Sequence, residues 1–196
     1  MSNSDTPMGF KPVRYNDGSP YDGKARVCYV PATDSTAIGL YDFVTPAGES
    51  SADGKYLIVA QSAATETDIL GAVVGFGTTP HMAFDPDNLG RVYRPASTAM
   101  YVWVADDPDL LFLAQEDSVG SALASTDVGR NCDITVGTLS TTTGLSAMEI
   151  DSSDVKDATA QVRIEGLYDD PDNAIGDNAK WLVRINEHAY KNTTGT

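Results

Sequence analysis

The sequence predicts an all-β fold, a compact barrel or sandwich of about ten short strands with at most one short helix. Short runs rich in Val, Ile, Tyr, Phe and Trp recur along the chain, and such side chains pack well on a pleated sheet. Turn-forming Asp, Pro and Gly residues separate these runs. Only residues 118–129 resemble a helix, and glycines interrupt that segment. Many short strands divided by turns are typical of a barrel or sandwich.

The predicted strands follow one another from residue 26 to residue 186. The third begins after Asp53-Gly54, a dipeptide typical of hairpin turns. In the ninth, Val162 and Ile164 alternate with charged neighbours, which is the two-residue period of a half-buried strand. The predicted strands are 26–30, 38–44, 56–60, 69–76, 100–104, 110–115, 133–136, 145–150, 160–167 and 181–186.

Residues 1–25 are predicted to form an extended N-terminal arm, and residues 26–196 the β-rich domain. The arm is rich in Pro, Gly, Asn, Asp and Ser, which disfavour regular structure. It also carries three large side chains, Phe10, Tyr15 and Tyr21. Disordered segments are usually poor in aromatic residues, so we expect these three to be anchors that contact a binding partner.

An Asp-Pro-Asp sequence occurs three times, starting at Asp85, Asp107 and Asp170. The first Asp can accept a hydrogen bond from the backbone ahead of it, and Pro presets φ for a type I turn. The sequence therefore predicts three turns of the same kind. A structural Ca²⁺ at these carboxylates is the alternative, although none has EF-hand spacing.

The charge balance opposes nucleic-acid binding. The chain carries 28 acidic and 13 basic residues, a net charge of −15. Nucleic-acid affinity depends on clustered Lys and Arg, which this chain lacks.

Two cysteines, Cys28 and Cys132, are too few for a disulfide scaffold, and we expect buried thiols, with a single disulfide as the alternative. We also expect no secretory signal and no membrane span, and thus synthesis in a cytoplasm.

No motif for catalysis, for a cofactor or for a bound metal emerges. The two histidines, His81 and His188, lie near no nucleophile motif. The glycines at 71, 75 and 77 lack the Lys-Ser/Thr of a phosphate loop, and we expect them to mark strand bends or close backbone approach. Trp103 and Trp181 lie within strand-like runs, which favours core positions. The sequence thus predicts a non-enzymatic protein.

Several blocks resemble structural proteins of tailed-bacteriophage virions, and together they cover most of the chain. The principal block is residues 93–109, YRPASTAMYVWVADDPD. The other blocks are residues 9–13, 16–21, 119–122, 127–129, 148–151, 172–173 and 181–188.

The resemblance implies a capsid decoration (cement) protein that binds the outer surface of the major capsid protein shell and stabilises the head. It also implies a location on the virion capsid surface, a tulip-like β-fold and self-association, as homotrimers at three-fold positions. In this interpretation Phe10, Tyr15 and Tyr21 contact the shell, as strand addition by an extended arm would allow. The alternative is a tail, baseplate or head-surface module that binds host glycans.

Overall fold

Twelve β-strands and two 3₁₀ turns make up the regular structure of a computed structural model that describes residues 3–65 and 67–191. The all-β fold class is therefore confirmed. The strands are β1 Lys11–Tyr15, β2 Arg26–Val30, β3 Phe43–Ser50, β4 Leu57–Gln61, β5 Gly71–Gly77, β6 Met100–Ala105, β7 Leu110–Gln115, β8 Asn131–Cys132, β9 Ile134–Val136, β10 Met148–Ile150, β11 Val162–Leu167 and β12 Lys180–Ile185, and the turns are Ser125–Asp127 and Ala189–Lys191.

Five strands close into a small barrel in the order β2-β4-β3-β5-β6. The β2–β4 pair is parallel and the other pairs are antiparallel. Along β6, Met100, Val102 and Val104 are buried in the barrel core, whereas Tyr101 and Trp103 alternate with them and are half-buried on the outside. Side chains on a strand alternate between its faces, so the barrel presents aromatic residues outward.

Five further strands form an antiparallel sheet in the order β1-β7-β12-β11-β8, and β9 pairs with β10 in a small separate ribbon. All six residues of β7 are buried, and β7 lies between β1 and β12 in the sheet. Trp181 on β12 is fully buried in the core of this sheet, as predicted. Cys28 and Cys132 are free, buried thiols, one in each core.

The barrel and the sheet share a wall made of β3 and β5. On β3, Phe43 belongs to the sheet core and the adjacent Val44 belongs to the barrel core. On β5, Ala72 and Val73 divide in the same way. Both faces are thus packed along β5 and at the start of β3, which explains why β5 is an almost continuous apolar run instead of an alternating one.

The N-terminal segment folds onto the domain. Phe10 is 0% exposed and stacks on Phe43 with ring centroids 4.1 Å apart. The expectation that Phe10 contacts a partner is therefore wrong, because its side chain already lies in the chain's own core. After it, β1 pairs with β7 at the edge of the sheet. Pro12 suits an edge strand, since proline cannot donate a ladder hydrogen bond.

Two predicted elements are smaller than expected. Residues 38–42 make only isolated bridges, from Ile38 to Arg94 and from Leu40 to Leu145, before β3 begins. The helix-like segment 118–129 contains only the 3₁₀ turn Ser125–Asp127. Glycines on both sides of that turn are consistent with its shortness.

Candidate binding surfaces

A groove of about 420 Å³ lies between the N-terminal segment and the outer side of the barrel. Tyr21, Tyr41 and Trp103 supply its aromatic lining, and Lys11 supplies a cation. Tyr21 is held in place because its hydroxyl donates a 2.8 Å hydrogen bond to the carbonyl of Lys24. Burial raises the pKa of Tyr21 to about 12, so its hydroxyl stays protonated at neutral pH. The groove therefore combines apolar ring surface with polar groups, among them the Lys11 ammonium.

Two glycines of β5 allow the groove to form. A Cβ on Gly77 would lie 2.0 Å from the carbonyl oxygen of Met82 and about 3 Å from the Trp103 ring. A Cβ on Gly75 would lie 2.9 Å from that of Ala83. Residues 82–83 and the indole can therefore pack directly on the strand backbone. Of the two expected roles, strand bends or close backbone approach, the structure shows close approach at Gly75 and Gly77.

Tyr41 has an unusual backbone conformation for a large side chain. Its φ is +70°, a region that glycine and asparagine adopt far more readily. Backbone contacts on both sides fix this conformation: the Tyr41 amide donates to the Val73 carbonyl at 2.7 Å, and its carbonyl accepts from the Phe10 amide at 2.9 Å. Tyr41 thus adopts a strained backbone conformation that places its own ring in the groove.

A cluster of tyrosines covers part of the barrel exterior. The Tyr101 ring lies 5.3 Å from the Tyr29 ring and 5.1 Å from the Tyr56 ring, in tilted and edge-on geometries. All three side chains are half-buried. We call Tyr29, Tyr56 and Tyr101 the aromatic face. Tyrosines are enriched at protein interfaces because they combine apolar area with a hydrogen-bonding end.

The connection between β5 and β6, residues 78–99, forms a long loop that we call the apolar loop. Three of its large apolar side chains are exposed: Leu89 by 79%, Phe84 by 50% and Val92 by 36%. Loops of this length without regular structure are uncommon in compact domains and are usually functional or disordered. Here the loop is held in place by specific contacts.

Arg94 is the main support of the apolar loop. It is 0% exposed, and its guanidinium donates hydrogen bonds of 2.5–2.9 Å to the carbonyls of Pro31, Asp34, Thr36 and Thr98. The planar guanidinium carries several donors in fixed directions, which lets one side chain join separate backbone segments. Arg94 thus fixes the end of the loop to the segment that follows β2.

The Asp-Pro-Asp turn at Asp85 is a second support. Asp85 accepts the amide of Asp87 at 3.1 Å, and its other carboxylate oxygen lies 2.7 Å from Nε of Arg91. The equivalent amide bonds occur at Asp107, at 2.9 Å, and at Asp170, at 3.1 Å. The prediction of three turns of one kind is confirmed.

Within residues 3–65 and 67–191, no group of three or more His, Cys, Asp or Glu side chains is suited to hold a metal ion.

Glu116, Glu149 and His188 have displaced pKa values, and none of these three side chains lines the groove. Burial raises the pKa of Glu116 and of Glu149 to about 7, and burial lowers the pKa of His188 to about 4. Glu116 accepts the amide of Leu123 at 2.6 Å. Glu149 accepts from Nε2 of Gln115 at 2.9 Å. These contacts join loops and strands, so the groups act in holding the fold together.

The sequence-predicted anchors are only partly near these surfaces. Tyr21 lines the groove, whereas Tyr15 lies beside it, with its ring centroid 6.4 Å from that of Tyr21 and its hydroxyl bonded to Asp22. Sequence reasoning missed Lys11, Tyr41 and the exposed part of the apolar loop. The signal for the loop was the long interval without a strand pattern between two strong strands. Trp103 is half-buried at the groove instead of being fully in the core.

Comparisons with protein-family models, with curated proteins and with solved structures find no match to this chain. Within the residues that the structure describes, there is no helix with the length and apolar character needed to cross a membrane.

Proposed function

We propose that the chain is a non-enzymatic capsid decoration protein of a tailed bacteriophage, which binds the outer surface of the major capsid protein shell and stabilises the head. The observation that carries the proposal is the apolar loop, which presents Phe84, Leu89 and Val92 to solvent from an ordered support. Three large exposed apolar side chains on one loop make that loop a candidate interaction site. The resemblance of residues 93–109 to virion structural proteins supports the same function.

The ordered loop favours binding because little conformational entropy remains to be lost. Arg94 and Asp85 already fix the backbone on either side of Leu89. Preorganised segments bind more tightly than mobile ones for the same contact area. In this proposal the apolar loop takes the place of Phe10 in contacting the shell, and Tyr15 and Tyr21 remain as additional contacts at the surface.

The charge of the chain selects the kind of surface that it can bind. At a net charge of −15, the protein favours a basic or neutral partner surface. Copies of the chain repel one another and must meet where charge is low. We assign contact between copies in the proposed homotrimer to the aromatic face, which is built from uncharged side chains. An oligomer that binds several shell sites at once gains affinity, often 10²-fold or more.

The decisive experiment mixes the purified protein with undecorated heads and measures co-sedimentation. We expect wild-type protein to bind and the double variant Phe84→Ser, Leu89→Ser to lose binding while keeping its melting temperature. Ile175→Ser is the matched control, because Ile175 is 52% exposed on a different loop. Equal binding by the double variant would contradict a role for the apolar loop, and absence of wild-type binding would contradict the decoration function.

The contact between copies has its own test. Tyr101→Ser should shift the sedimentation coefficient from that of a trimer to that of a monomer, whereas Tyr168→Ser, on a half-buried tyrosine outside the aromatic face, should not.

The alternative function, a tail, baseplate or head-surface module for host glycans, is distinguished by copy number. Hundreds of copies per virion would support decoration of the shell, and a few copies would support the tail or baseplate.

A further inference from the structure

We infer that the groove between the N-terminal segment and the barrel is a binding site for a neutral saccharide. The inference rests on Tyr21, Tyr41, Trp103 and Lys11 and does not depend on the capsid proposal. The main shell contact is proposed at Phe84 and Leu89 of the apolar loop, and the groove borders that loop at Ala83 and includes Tyr21.

The groove has the dimensions and lining of a small-ligand site. Its volume of about 420 Å³ lies within the range of roughly 300–1,000 Å³ that small ligands occupy in proteins. Such sites are mostly apolar and aromatic, with a few polar groups that orient the ligand. Trp103, Tyr21 and Tyr41 provide the first component, and the tyrosine hydroxyls with Lys11 provide the second.

The residue types match the surface of a sugar ring. A pyranose has an apolar face of C–H groups and an edge of hydroxyl groups. Aromatic side chains that combine an apolar body with a polar end suit such a ligand. Gly77 leaves room for the Trp103 ring to lie close to the β5 backbone, so the indole is fixed before a ligand arrives. Preorganisation of this kind lowers the entropic cost of binding.

The strain at Tyr41 is an independent reason to assign the groove a function. At φ +70°, glycine or asparagine would fit with less strain, and a tyrosine is kept there. Residues in sparsely populated backbone conformations cluster at functional sites, where the surrounding structure enforces them. The Val73 carbonyl and the Phe10 amide enforce this one. The tyrosine ring therefore contributes to the groove at a cost to the fold.

The charge pattern selects a neutral ligand. Lys11 is exposed and forms no ion pair within the described residues, so its ammonium can donate to hydroxyl oxygens. One cation does not offset a chain of net charge −15, whose field repels anionic ligands. Neutral hexose and N-acetylhexosamine oligosaccharides are thus the preferred class.

The test is a glycan array of neutral and acidic oligosaccharides, followed by fluorescence titration with the neutral oligosaccharide that binds best. We expect saturable binding and a change in Trp103 emission, since Trp181 is fully buried and remote from solvent. Tyr41→Asn and Lys11→Met should each weaken binding about tenfold, the effect of losing one good contact. Lys55→Gln, on an exposed lysine at a hairpin, should leave the affinity unchanged.

Three outcomes would overturn the inference: no neutral oligosaccharide on the array binds, acidic oligosaccharides bind better, or binding persists in both groove variants. Because Lys11 is exposed, Lys11→Met keeps the test valid even if Tyr41→Asn fails to fold. Both variants should still bind undecorated heads. Failure of the saccharide site and failure of the decoration function are therefore seen in separate assays.

Discussion

The N-terminal segment, residues 3–25, and the apolar loop, residues 78–99, are alike in composition and opposite in burial. Both contain several Pro and Asp residues and carry isolated large apolar side chains. In the first, Phe10 is fully buried, whereas in the second Phe84 is 50% exposed. The comparison shows that a turn-rich segment with aromatic residues can serve the chain's own core or an external partner. Burial, which composition does not determine, decides between the two.

The largest expected effect of this difference is on stability. Phe10→Ala should lower the free energy of unfolding by about 3–5 kcal/mol, because it leaves a cavity beside Phe43 and Phe112. Phe84→Ala should change it by no more than about 0.5 kcal/mol, as exposed substitutions do. Urea unfolding of the two variants measures both values. Similar losses in the two variants would mean that the segments do not differ in the way described.

A smaller effect is expected when the support of the apolar loop is removed. Arg94→Met should destabilise the protein by about 3 kcal/mol, because four part-buried carbonyls lose their charged donor. Arg163→Met is the control, since Arg163 is exposed and its distance to Glu165 is 3.9 Å. Its loss should stay within about 0.5 kcal/mol. Amide hydrogen exchange should be faster around residues 31–36 in the Arg94 variant than in the wild type. Unchanged exchange there would contradict the role of Arg94 as the support of the loop.

The Asp-Pro-Asp turns at Asp85 and Asp170 share a sequence but differ in burial, so comparing them isolates the effect of burial on stability. Asp85→Ala should cost about 2 kcal/mol, because it removes the turn bond and the partner of Arg91 in a buried place. Asp170→Ala removes the same turn bond at an exposed place and should cost about 1 kcal/mol or less. Thermal or urea unfolding measures the difference. Equal costs would show that the ion pair with Arg91 contributes little.

The smallest expected effect depends on pH and concerns the start of the N-terminal segment. Gln115 accepts the Thr6 amide at 2.9 Å and donates to Glu149 at 2.9 Å. Burial, together with the nearby carboxylates of Asp5 and Asp117, raises the pKa of Glu149 to about 7. Above the ordinary Glu pKa of about 4.5 the unfolded chain releases this proton while the folded chain keeps it. Stability therefore falls as pH rises from about 4.5 to 7.

Glu149→Gln should remove the part of the fall that Glu149 contributes, about 1 kcal/mol after solvent screening. The part from Glu116, whose pKa is also raised to about 7, should remain. His188, whose pKa is lowered to about 4, acts in the opposite direction, since its contribution to stability rises between about pH 4 and 6.5. The measurement is urea unfolding at pH 4.5 and pH 8 for the wild type and Glu149→Gln. An identical pH dependence in the two proteins would exclude Glu149 as its source.

Most of the strands could be predicted from the sequence because their signal is local. The bounds of β2 and β7 agree with the predicted runs at both ends. The strand β1 was missed because Pro12 and the surrounding polar residues obscure it, and only its pairing with β7 makes it a strand. The Asp-Pro-Asp turns were predicted because all of their contacts lie within a few residues.

The candidate site could not be predicted in the same way. Tyr21, Tyr41 and Trp103 come from distant parts of the chain, and only the packing of β1 against the barrel brings them to one groove. The burial of Phe10 likewise depends on Phe43, whose orientation follows from the closing of the barrel. Sequence periodicity gives the face of a strand but not what packs against that face. Local sequence patterns thus predict the strands and turns. They do not predict the contacts between distant segments that form the groove.

The wall formed by β3 and β5 has a consequence for how the molecule comes apart. Adjacent residues on these strands, such as Phe43 and Val44, belong to different cores. Neither the barrel nor the sheet can fold alone, because separating them would expose one packed face of β3 and of β5. Heating should accordingly melt both layers in a single calorimetric transition, with the measured enthalpy equal to the van't Hoff value.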